Sequence, residues 1–235
     1  MASTVLITGG AKGIGAATVR LFSSKGFRVI LHYNTSKAQA EALQAELNAS
    51  GGDVHLFQAD LSVEEQVAAM AAFVGEYFHS LEVLVNNAGQ SVVGTIEQVN
   101  STELNRLFNV NTVSAYNCCR YFLPLLKRAE KPHVVNVSSM WGYKGASCEV
   151  AYSITKFGII GLTKSLAEEW SSIPIKVNCV CPPIVLTDMC AHLSSMDVDL
   201  FCRYNLCQVY TPAMVASDIY KMATAGRSGM VIKER

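Results

Sequence analysis

Short runs of β-branched and other apolar residues alternate along this sequence with longer segments in which apolar residues recur at helical spacing. Such alternation predicts βαβ units, in which a helix joins two parallel strands that lie side by side. Runs such as Leu84-Val85 and Val134-Val135 contain no polar residue, which is typical of strands covered by helices on both faces of a sheet. The sequence therefore predicts an α/β fold with a doubly wound parallel sheet.

The predicted strands are short and the predicted helices are longer. The strands are Val5–Ile7, Arg28–His32, Val54–Phe57, Glu82–Val85, His133–Val137, Lys176–Cys181 and Met230–Ile232. The helices are Gly15–Ser24, Lys37–Asn48, Val63–Phe78, Thr102–Lys127, Ala151–Ser171 and Pro212–Thr224. The segment from Pro182 to Thr211 has no such pattern, so we expect an irregular stretch whose residues 187–211 form a lid over a binding site.

The length and charge of the chain narrow the class of protein. A chain of 235 residues fits one domain spanning residues 1–235, since α/β domains commonly reach this size. Its 19 basic and 19 acidic residues cancel, which argues against a nucleic-acid-binding surface, and its apolar runs are too short to cross a membrane. The first residues lack a charged secretory segment, so we expect a cytoplasmic protein that binds a small molecule.

The eight cysteines match no usual zinc-binding pattern. Cys118 and Cys119 are adjacent, and Cys179 and Cys181 are separated by one residue. Thiols stay reduced in cytosolic enzymes, so we interpret the cysteines as small buried apolar side chains and predict no metal site.

A glycine-rich turn follows the first predicted strand. The segment Thr8-Gly9-Gly10-Ala11-Lys12-Gly13-Ile14-Gly15 leads into the first predicted helix. Glycines let a backbone turn sharply and approach a pyrophosphate, whose negative charge is stabilised by free N–H groups and by the helix dipole. A purely structural turn is the alternative that the pattern alone leaves open. The residues predicted to hold a dinucleotide here are Gly9, Lys12, Gly13, Ile14 and Gly15.

The spacing of these glycines, together with Asn86-Asn87-Ala88-Gly89 after the fourth predicted strand, resembles that of short-chain dehydrogenases/reductases. The resemblance extends from Thr4 to about Asp188. It implies a Rossmann-type fold that binds a nicotinamide dinucleotide at the glycine-rich turn. It also implies further contacts to the cofactor, from Asn87, Ala88 and Gly89 and, at the adenine ring, from Asp60 and Leu61. For Asp60, a helix N-cap before Val63 is the alternative.

The residues after the second predicted strand favour NADP(H). A carboxylate at this place would bind the ribose 2′-hydroxyl of NAD and repel a 2′-phosphate, and the segment contains none. Lys12, with Asn34, Thr35, Ser36 and Lys37, can instead supply hydrogen bonds and positive charge to a 2′-phosphate. Tyr33 is predicted to contact the cofactor beside them. Two alternatives stay open: Lys12 and Lys37 are only solvated surface lysines, or the enzyme uses NAD.

Tyr152 and Lys156 are spaced as i and i+4, which places both on one face of a helix. A nearby ammonium lowers the pKa of a phenol, so the pair predicts a proton donor. Ser139 ends a predicted strand at the carboxyl edge of the sheet, where open α/β sheets bind ligands. The competing candidate at this edge is Ser138.

The resemblance favours Ser139, because this family's catalytic serine precedes its tyrosine by 152 − 139 = 13 residues. The segment Phe108-Asn109-Val110-Asn111 is similar to the family's asparagine position, here Asn111, with an ordinary helix residue as the alternative. The implied reaction is hydride transfer from the nicotinamide to a carbonyl carbon while Tyr152 protonates the oxygen and Ser139 hydrogen-bonds it. Lys156 would hold the ribose and lower the pKa of Tyr152. Asn111 would hold a water that links Lys156 to solvent.

One departure from the family pattern lies beside the predicted nicotinamide site. The family usually has Pro-Gly where this chain has Pro182-Pro183, and proline cannot adopt a left-handed conformation. The nicotinamide contacts implied by the resemblance are Pro182, Val185 and Thr187. The family also implies a homodimer or homotetramer through the helices at about 102–127 and 151–171.

We therefore expect an NADPH-dependent reductase of a ketone or aldehyde. An apolar portion of the substrate is indicated by apolar residues of the lid and after Ser139, namely Trp141, Tyr143, Leu193, Met196, Leu200, Phe201, Tyr204 and Leu206. A 3-oxoacyl substrate on a carrier protein is one alternative. Leu31-His32-Tyr33-Asn34 also resembles pteridine reductases. A different class stays open, a catalytically silent protein that binds NADP(H) and reports its level to a partner.

Overall fold

Parallel strands form a seven-stranded sheet at the centre of the structure, a computed structural model that describes residues 2–190 and 193–233. The strands are β1 (Thr4–Ile7), β2 (Arg28–Tyr33), β3 (Asp53–Gln58), β4 (Val83–Asn86), β5 (His133–Val137), β6 (Lys176–Cys181) and β7 (Val231–Lys233). They are ordered β3-β2-β1-β4-β5-β6-β7, and every adjacent pair is parallel. The predicted α/β fold with a doubly wound sheet is confirmed.

Helices connect the strands. They are α1 (Gly13–Ser24), α2 (Lys37–Ala49), α3 (Glu64–Tyr77), α4 (Ser101–Phe108), α5 (Ser114–Leu126), α6 (Val150–Glu169), α7 (Ser195–Asn205) and α8 (Pro212–Ala223). Short 3₁₀ turns occur at Met140–Gly142 and Asp188–Cys190. Within residues 2–190 and 193–233, no helix has the length and apolar character needed to cross a membrane.

Alternate residues of the central strands fill an apolar layer on each face of the sheet. Val5 and Ile7 are fully buried in the same cluster as Phe22 of α1. Leu6 lies in the opposite layer with Phe122 of α5. Burial of such a side chain contributes about 1.5–3 kcal/mol to folding, so the two layers fix the helices over the sheet.

The strand order reverses between β1 and β4. The chain first builds the sheet outward from β1 to β3 and then returns to the other side of β1. Connections at such a reversal diverge to opposite faces and leave a crevice at the carboxyl ends of the strands. The glycine-rich turn after β1, the Asn87–Gly89 loop after β4 and Ser139 after β5 all lie at these ends.

The helix predicted over residues 102–127 contains a π-helical turn. Asn109–Val113 joins α4 to α5, and the N–H of Ser114 donates to the carbonyl of Asn109. The π turn inserts an extra residue into the helix and re-aims the side chains within it, a feature frequent at functional sites. Asn111 lies in this turn.

The prediction of an irregular stretch from Pro182 to Thr211 is wrong, because residues 195–205 form α7. A capping box starts the helix: the hydroxyl of Ser194 accepts from the N–H of Asp197, and the Asp197 carboxylate accepts from the N–H of Ser194. Phe201 of α7 packs edge-on against Trp141, with ring centroids 5.5 Å apart. The predicted lid therefore contains an α-helix, and its residues 191 and 192 lie outside the described chain.

Candidate active site

Two cavities open at the carboxyl ends of the strands. The larger has a volume of about 520 Å³ and the smaller a volume of about 290 Å³. Gly9, Lys12, Ala88 and Gly89 line both of them. These four residues therefore form a wall common to the large cavity and the small cavity.

The glycine-rich turn has a conformation that depends on its glycines. Gly9 and Gly13 have φ angles of 63° and 51°, in the left-handed region. A Cβ at Gly15 would lie 2.0 Å from the carbonyl oxygen of Gly9, so no larger residue fits there. Gly13, Ile14 and Gly15, the first residues of α1, line the large cavity, and no described side chain caps their N–H groups. Such a helix N terminus fits a pyrophosphate.

The buried side chain of His32 is hydrogen-bonded to the glycine-rich turn. Its Nδ1 accepts from the N–H of Gly9 at 3.1 Å, and its Nε2 donates to the carbonyl of Ala59 at 3.0 Å. Burial lowers the pKa of His32 to about 4, and the hydrogen bond to Ala59 only partly offsets this effect. The neutral ring therefore joins the glycine-rich turn to the loop after β3 at neutral pH.

The small cavity contains the residues predicted at the adenosine end of a dinucleotide. Asp60 accepts from the N–H and the hydroxyl of Ser62, at 2.9 and 2.7 Å, and these hydrogen bonds lower its pKa. The N-cap of α3 is Val63, so the N-cap role considered for Asp60 is wrong. The predicted residues that line the small cavity are Tyr33, Asn34, Thr35, Ser36, Asp60 and Leu61.

Lys12 extends from the glycine-rich turn towards the segment after β6. Its ammonium lies 3.7 Å from a carboxylate oxygen of Asp188, and both side chains are well exposed. An ion pair this exposed contributes little to stability, so the ammonium is available to a ligand phosphate in either cavity. Lys37 instead pairs with Glu41 one turn along α2 and lines neither cavity.

Ser139, Tyr152 and Lys156 come together on the large cavity. The side chains of Tyr152 and Ser139 are hydrogen-bonded to each other. The ammonium of Lys156 donates to the carbonyl of Val137 at 3.0 Å and lies 5.6 Å from the centroid of the Tyr152 ring. Tyr152 and Lys156 are only 9% and 4% exposed, so a ligand in the cavity would meet them largely without water.

Burial controls the protonation of this pair. It raises the pKa of Tyr152 far above its ordinary value, although the hydrogen bond from Ser139 acts in the opposite direction. It lowers the pKa of Lys156 to about 8. The expectation that Lys156 lowers the pKa of Tyr152 is therefore wrong for this geometry, because burial penalises both charged forms. Tyr152 remains a neutral phenol at neutral pH, the form that can donate a proton.

The hydroxyl of Ser138 is used inside the fold. This hydroxyl donates to the carbonyl of Lys156 at 2.8 Å. It is also closely packed against Gly142, where a Cβ would lie only 2.2 Å from the Ser138 oxygen. Its neighbour Ser139 accepts from the N–H of Trp141 at 3.2 Å and contacts Tyr152. The geometry therefore supports Ser139 over Ser138 as the serine beside the tyrosine.

Asn111 lies behind the cavity wall, since it lines neither cavity. Its Oδ1 accepts from the N–H of Gln90 at 2.7 Å, and its Nδ2 donates to the carbonyl of Gln90 at 2.8 Å and to Thr155 Oγ1 at 3.0 Å. These bonds join the loop after β4 to the helix that carries Tyr152 and Lys156. The side chain of Asn111 therefore positions the two elements.

The loop after β4 is bonded to the glycine-rich turn. Thr8 Oγ1 accepts from the N–H groups of Asn87 and Ala88, both at 3.0 Å. Asn87 Nδ2 donates to the carbonyls of Thr8 and Gly9 at 2.9 and 3.2 Å. A Cβ at Gly89 would lie 3.3 Å from the ammonium of Lys156. The loop thus connects the glycine-rich turn to Lys156.

Pro182, Val185 and Thr187 line the large cavity, and so does Pro183. The carbonyl of Pro182 accepts from the N–H of Met140 at 2.9 Å. A Cβ at Gly13 would lie 3.1 Å from Cγ2 of Thr187, so this segment packs against the glycine-rich turn. The segment with the unusual second proline therefore still contributes the predicted residues to the cavity.

The lid contributes fewer residues to the large cavity than its composition predicts. Leu193 and Phe201 line the cavity, together with Trp141. The remaining predicted residues of the lid are well exposed, because an amphipathic helix can turn only one face inward: Met196, Leu200, Tyr204 and Leu206. Tyr143 packs instead on the cluster of β6 and α6 residues.

The structure places further residues on the cavities that the sequence did not single out as site residues. His32, Gln90 and Arg106 line the small cavity. They come from β2, the loop after β4 and α4, so their proximity depends on long-range packing. The local sequence gives no signal for it.

Comparisons with known proteins agree with this geometry. The family model described as short chain dehydrogenase matches residues 3–198. The chain belongs to the short-chain dehydrogenase/reductase family. As a member of that family it is an oxidoreductase with a nicotinamide-cofactor fold, and the resemblance inferred from its motifs is confirmed.

Curated relatives of this short-chain dehydrogenase/reductase include carrier-protein reductases. It is 35% identical over 194 residues to the 3-oxoacyl-[acyl-carrier-protein] reductase FabG of Staphylococcus aureus, which covers 83% of this chain and 79% of the relative. It is 34% identical over 190 residues to the uncharacterized oxidoreductase YmfI of Bacillus subtilis, covering 80% and 77%.

A solved structure shares the fold. A dehydrogenase/reductase from Sinorhizobium meliloti 1021 superimposes with a TM-score of 0.92 at 23% identity, covering 100% of this chain and 94% of the other. Such agreement at low identity shows how tolerant the fold is of sequence change.

Proposed function

We propose that this protein is an NADPH-dependent reductase that converts a ketone or aldehyde to an alcohol. The observation that carries the proposal is the meeting of Ser139, Tyr152 and Lys156 on one cavity that also reaches the glycine-rich turn. A buried phenol, a buried ammonium and a hydroxyl at the end of a dinucleotide-type crevice suit proton transfer to a carbonyl oxygen. Residues 1–235 act as one domain in this proposal.

In the proposed reaction, bound NADPH supplies the hydride that reaches the carbonyl carbon. Tyr152 donates its phenolic proton to the carbonyl oxygen, and Ser139 orients that oxygen by a hydrogen bond. Lys156, anchored on the carbonyl of Val137, holds the ribose hydroxyls of the cofactor. General acid catalysis of this type contributes about 10²–10⁴-fold to a rate.

The proposed preference for NADP(H) rests on charge. The segment of Tyr33 to Ser36 brings no carboxylate to the small cavity, and Lys12 lies at its border. Asp60, the carboxylate that does line this cavity, is already engaged with Ser62. A 2′-phosphate therefore meets a cation and neutral donors at the ribose end. The relatives' names state no cofactor.

The proposed substrate carries an apolar portion. Trp141, Phe201 and Leu193 form an apolar part of the large cavity next to Tyr152. A 3-oxoacyl group on a carrier protein is the second candidate substrate. It is favoured by the 35% identity of this chain to a 3-oxoacyl-[acyl-carrier-protein] reductase. A silent NADP(H) sensor is less favoured, because the phenol of Tyr152, the hydroxyl of Ser139 and the ammonium of Lys156 are all present on one cavity.

We further propose a homo-oligomer through the helices near residues 102–127 and 151–171. Tyr116 of α5 and Ile154 and Phe157 of α6 are 52%, 45% and 47% exposed. Large apolar side chains exposed on adjacent helices are typical of subunit interfaces.

A substrate panel tests the proposed activity. The protein is mixed with NADPH and with aliphatic ketones, aromatic aldehydes and 3-oxoacyl thioesters, and the nicotinamide absorbance is followed. Oxidation of NADPH with a carbonyl, and much slower oxidation of NADH, is the expected result. Tight NADPH binding without turnover across the panel would favour the sensor.

A further inference from the structure

Arg106 is held at the edge of the small cavity by two neighbours. Its Nε and Nη2 donate to the two carboxylate oxygens of Glu103, at 2.9 and 2.7 Å, and its Nη1 donates to Oε1 of Gln90. A guanidinium has five N–H donors, so two remain after these three bonds. The planar head is therefore fixed in orientation and still able to donate.

The surroundings of Arg106 suit a flat heteroaromatic ring. Arg106 and Val110 lie one turn apart along α4 and the π turn, and both line the small cavity. Leu61 adds a second apolar wall from the loop after β3. Guanidinium planes stack on aromatic rings, and their N–H groups pair with ring nitrogens.

We propose that Arg106 binds the adenine ring of the cofactor and determines cofactor affinity. The proposal rests on the proposed cofactor function and assigns a residue to it. The guanidinium is fixed by Glu103 and Gln90 before the ligand arrives, so its binding loses little side-chain entropy. Arg106 contacts the adenine end and takes no part in proton transfer.

The same contacts link the adenine end to the catalytic helix. Gln90 accepts from Arg106 through its side chain and is bonded to Asn111 through its backbone. Asn111 in turn donates to Thr155, the residue before Lys156. Through Gln90, Arg106 thus also holds the loop after β4 in place. Gly89, the residue before Gln90 in this loop, lines both cavities.

Binding of cofactor fragments tests the proposal. Wild type and Arg106→Ala are titrated calorimetrically with AMP, 2′,5′-ADP, NADPH and reduced nicotinamide mononucleotide. We expect the first three to bind about 2- to 30-fold more weakly to the variant, the range from an exposed to a desolvated cation–π contact. Binding of the nicotinamide fragment, which lacks adenine, should be unchanged.

Two further variants control the result. Arg20 makes the same bidentate pair with Glu46 away from both cavities, so Arg20→Ala should bind every fragment like wild type. Arg106→Lys keeps the charge and loses the plane, so it should bind AMP nearly as weakly as Arg106→Ala. Full recovery of AMP binding by lysine would overturn the assignment of a planar contact.

The outcomes separate this proposal from the proposed function. Unchanged binding of AMP by Arg106→Ala, with normal wild-type affinities, would overturn the role of Arg106 and leave the cofactor site standing. Weaker binding of 2′,5′-ADP alone would place Arg106 on the phosphate and overturn the adenine contact. Failure of wild type to bind any fragment would overturn the cofactor function itself.

Discussion

The neutral state of His32 predicts a specific loss of stability in acid. His32 links Gly9 to Ala59 through both ring nitrogens, and its ring can do so only when one nitrogen is unprotonated. The structure lowers the pKa of His32 from 6.5 to about 4 because the ring is buried. Protonation would bury a charge and remove the acceptor for the N–H of Gly9.

Proton linkage determines the direction and the magnitude of the stability change caused by His32. Between the two pKa values the unfolded chain binds the proton and the folded chain does not, so stability is complete above about pH 6.5 and falls as the pH approaches 4. The difference between a pKa of 6.5 in the unfolded chain and about 4 in the folded chain corresponds to about 3 kcal/mol in total, of which about 2.5 kcal/mol is lost between about pH 7 and pH 4.5. Asp60 adds a loss of the same sign through its own lowered pKa.

A matched variant isolates the histidine. His32→Asn cannot be protonated and retains the Asp60–Ser62 hydrogen bonds that mainly lower the pKa of Asp60, so the difference between wild type and variant removes most of the carboxylate's contribution. We expect urea-unfolding free energies of wild type to fall by about 2.5 kcal/mol more than those of His32→Asn over this pH range. At pH 7 the variant should be less stable, since it loses two buried hydrogen bonds.

Parallel pH profiles for wild type and His32→Asn would refute this reasoning, because the histidine would then titrate alike in the folded and unfolded states. A wild type that gains stability on acidification relative to the variant would show that the folded state stabilises the imidazolium instead.

Three other predictions concern the turn, the cofactor charge and the proposed interface. Gly15→Ala should abolish the stabilisation by NADPH in thermal unfolding, because its Cβ would lie 2.0 Å from the carbonyl oxygen of Gly9. Lys12→Ala should raise the KM for NADPH about tenfold and leave the KM for NADH nearly unchanged, while Asp188→Asn should lower the KM for NADPH. Phe157→Lys should reduce the molar mass measured by light scattering to that of a smaller species.

Gly15→Ala and Lys12→Ala each have a matched control. Gly161 of α6 has open space around it, so Gly161→Ala should leave NADPH binding intact and stabilise the fold by up to about 1 kcal/mol. Lys37 pairs with Glu41 outside both cavities, so Lys37→Ala should not change cofactor selectivity. Equal effects of the lysine variants, or an unchanged mass for Phe157→Lys, would contradict the corresponding proposal.

Local sequence patterns were sufficient to predict the strands of the sheet and the glycine-rich turn. Short runs of β-branched residues predicted the strands. The turn needs glycine because its backbone has positive φ angles, as at Gly9 and Gly13, which other residues avoid. The pairing of Tyr152 with Lys156 followed from the helical period alone. These features depend on neighbours in the chain, which the sequence displays.

Features that depend on packing were not predictable in the same way. Burial raises the pKa of Tyr152, whereas the prediction from the charge of Lys156 was that this pKa would be lowered. The positions of His32 and Arg106 require β2 and α4 to meet at the small cavity. For α7 a signal was present, since Ser194 and Asp197 have the spacing of a capping box.

The central claim is that Tyr152 donates the proton in a hydride-transfer reaction. Tyr152→Phe removes only the phenolic oxygen, so the account predicts a fall in kcat for NADPH-dependent carbonyl reduction of at least about 10²-fold, with the Kd for NADPH unchanged. Tyr121→Phe, which alters a partly buried tyrosine that is bonded to Glu64 and lines neither cavity, should keep full activity. A Tyr152→Phe enzyme with near wild-type turnover would contradict the account.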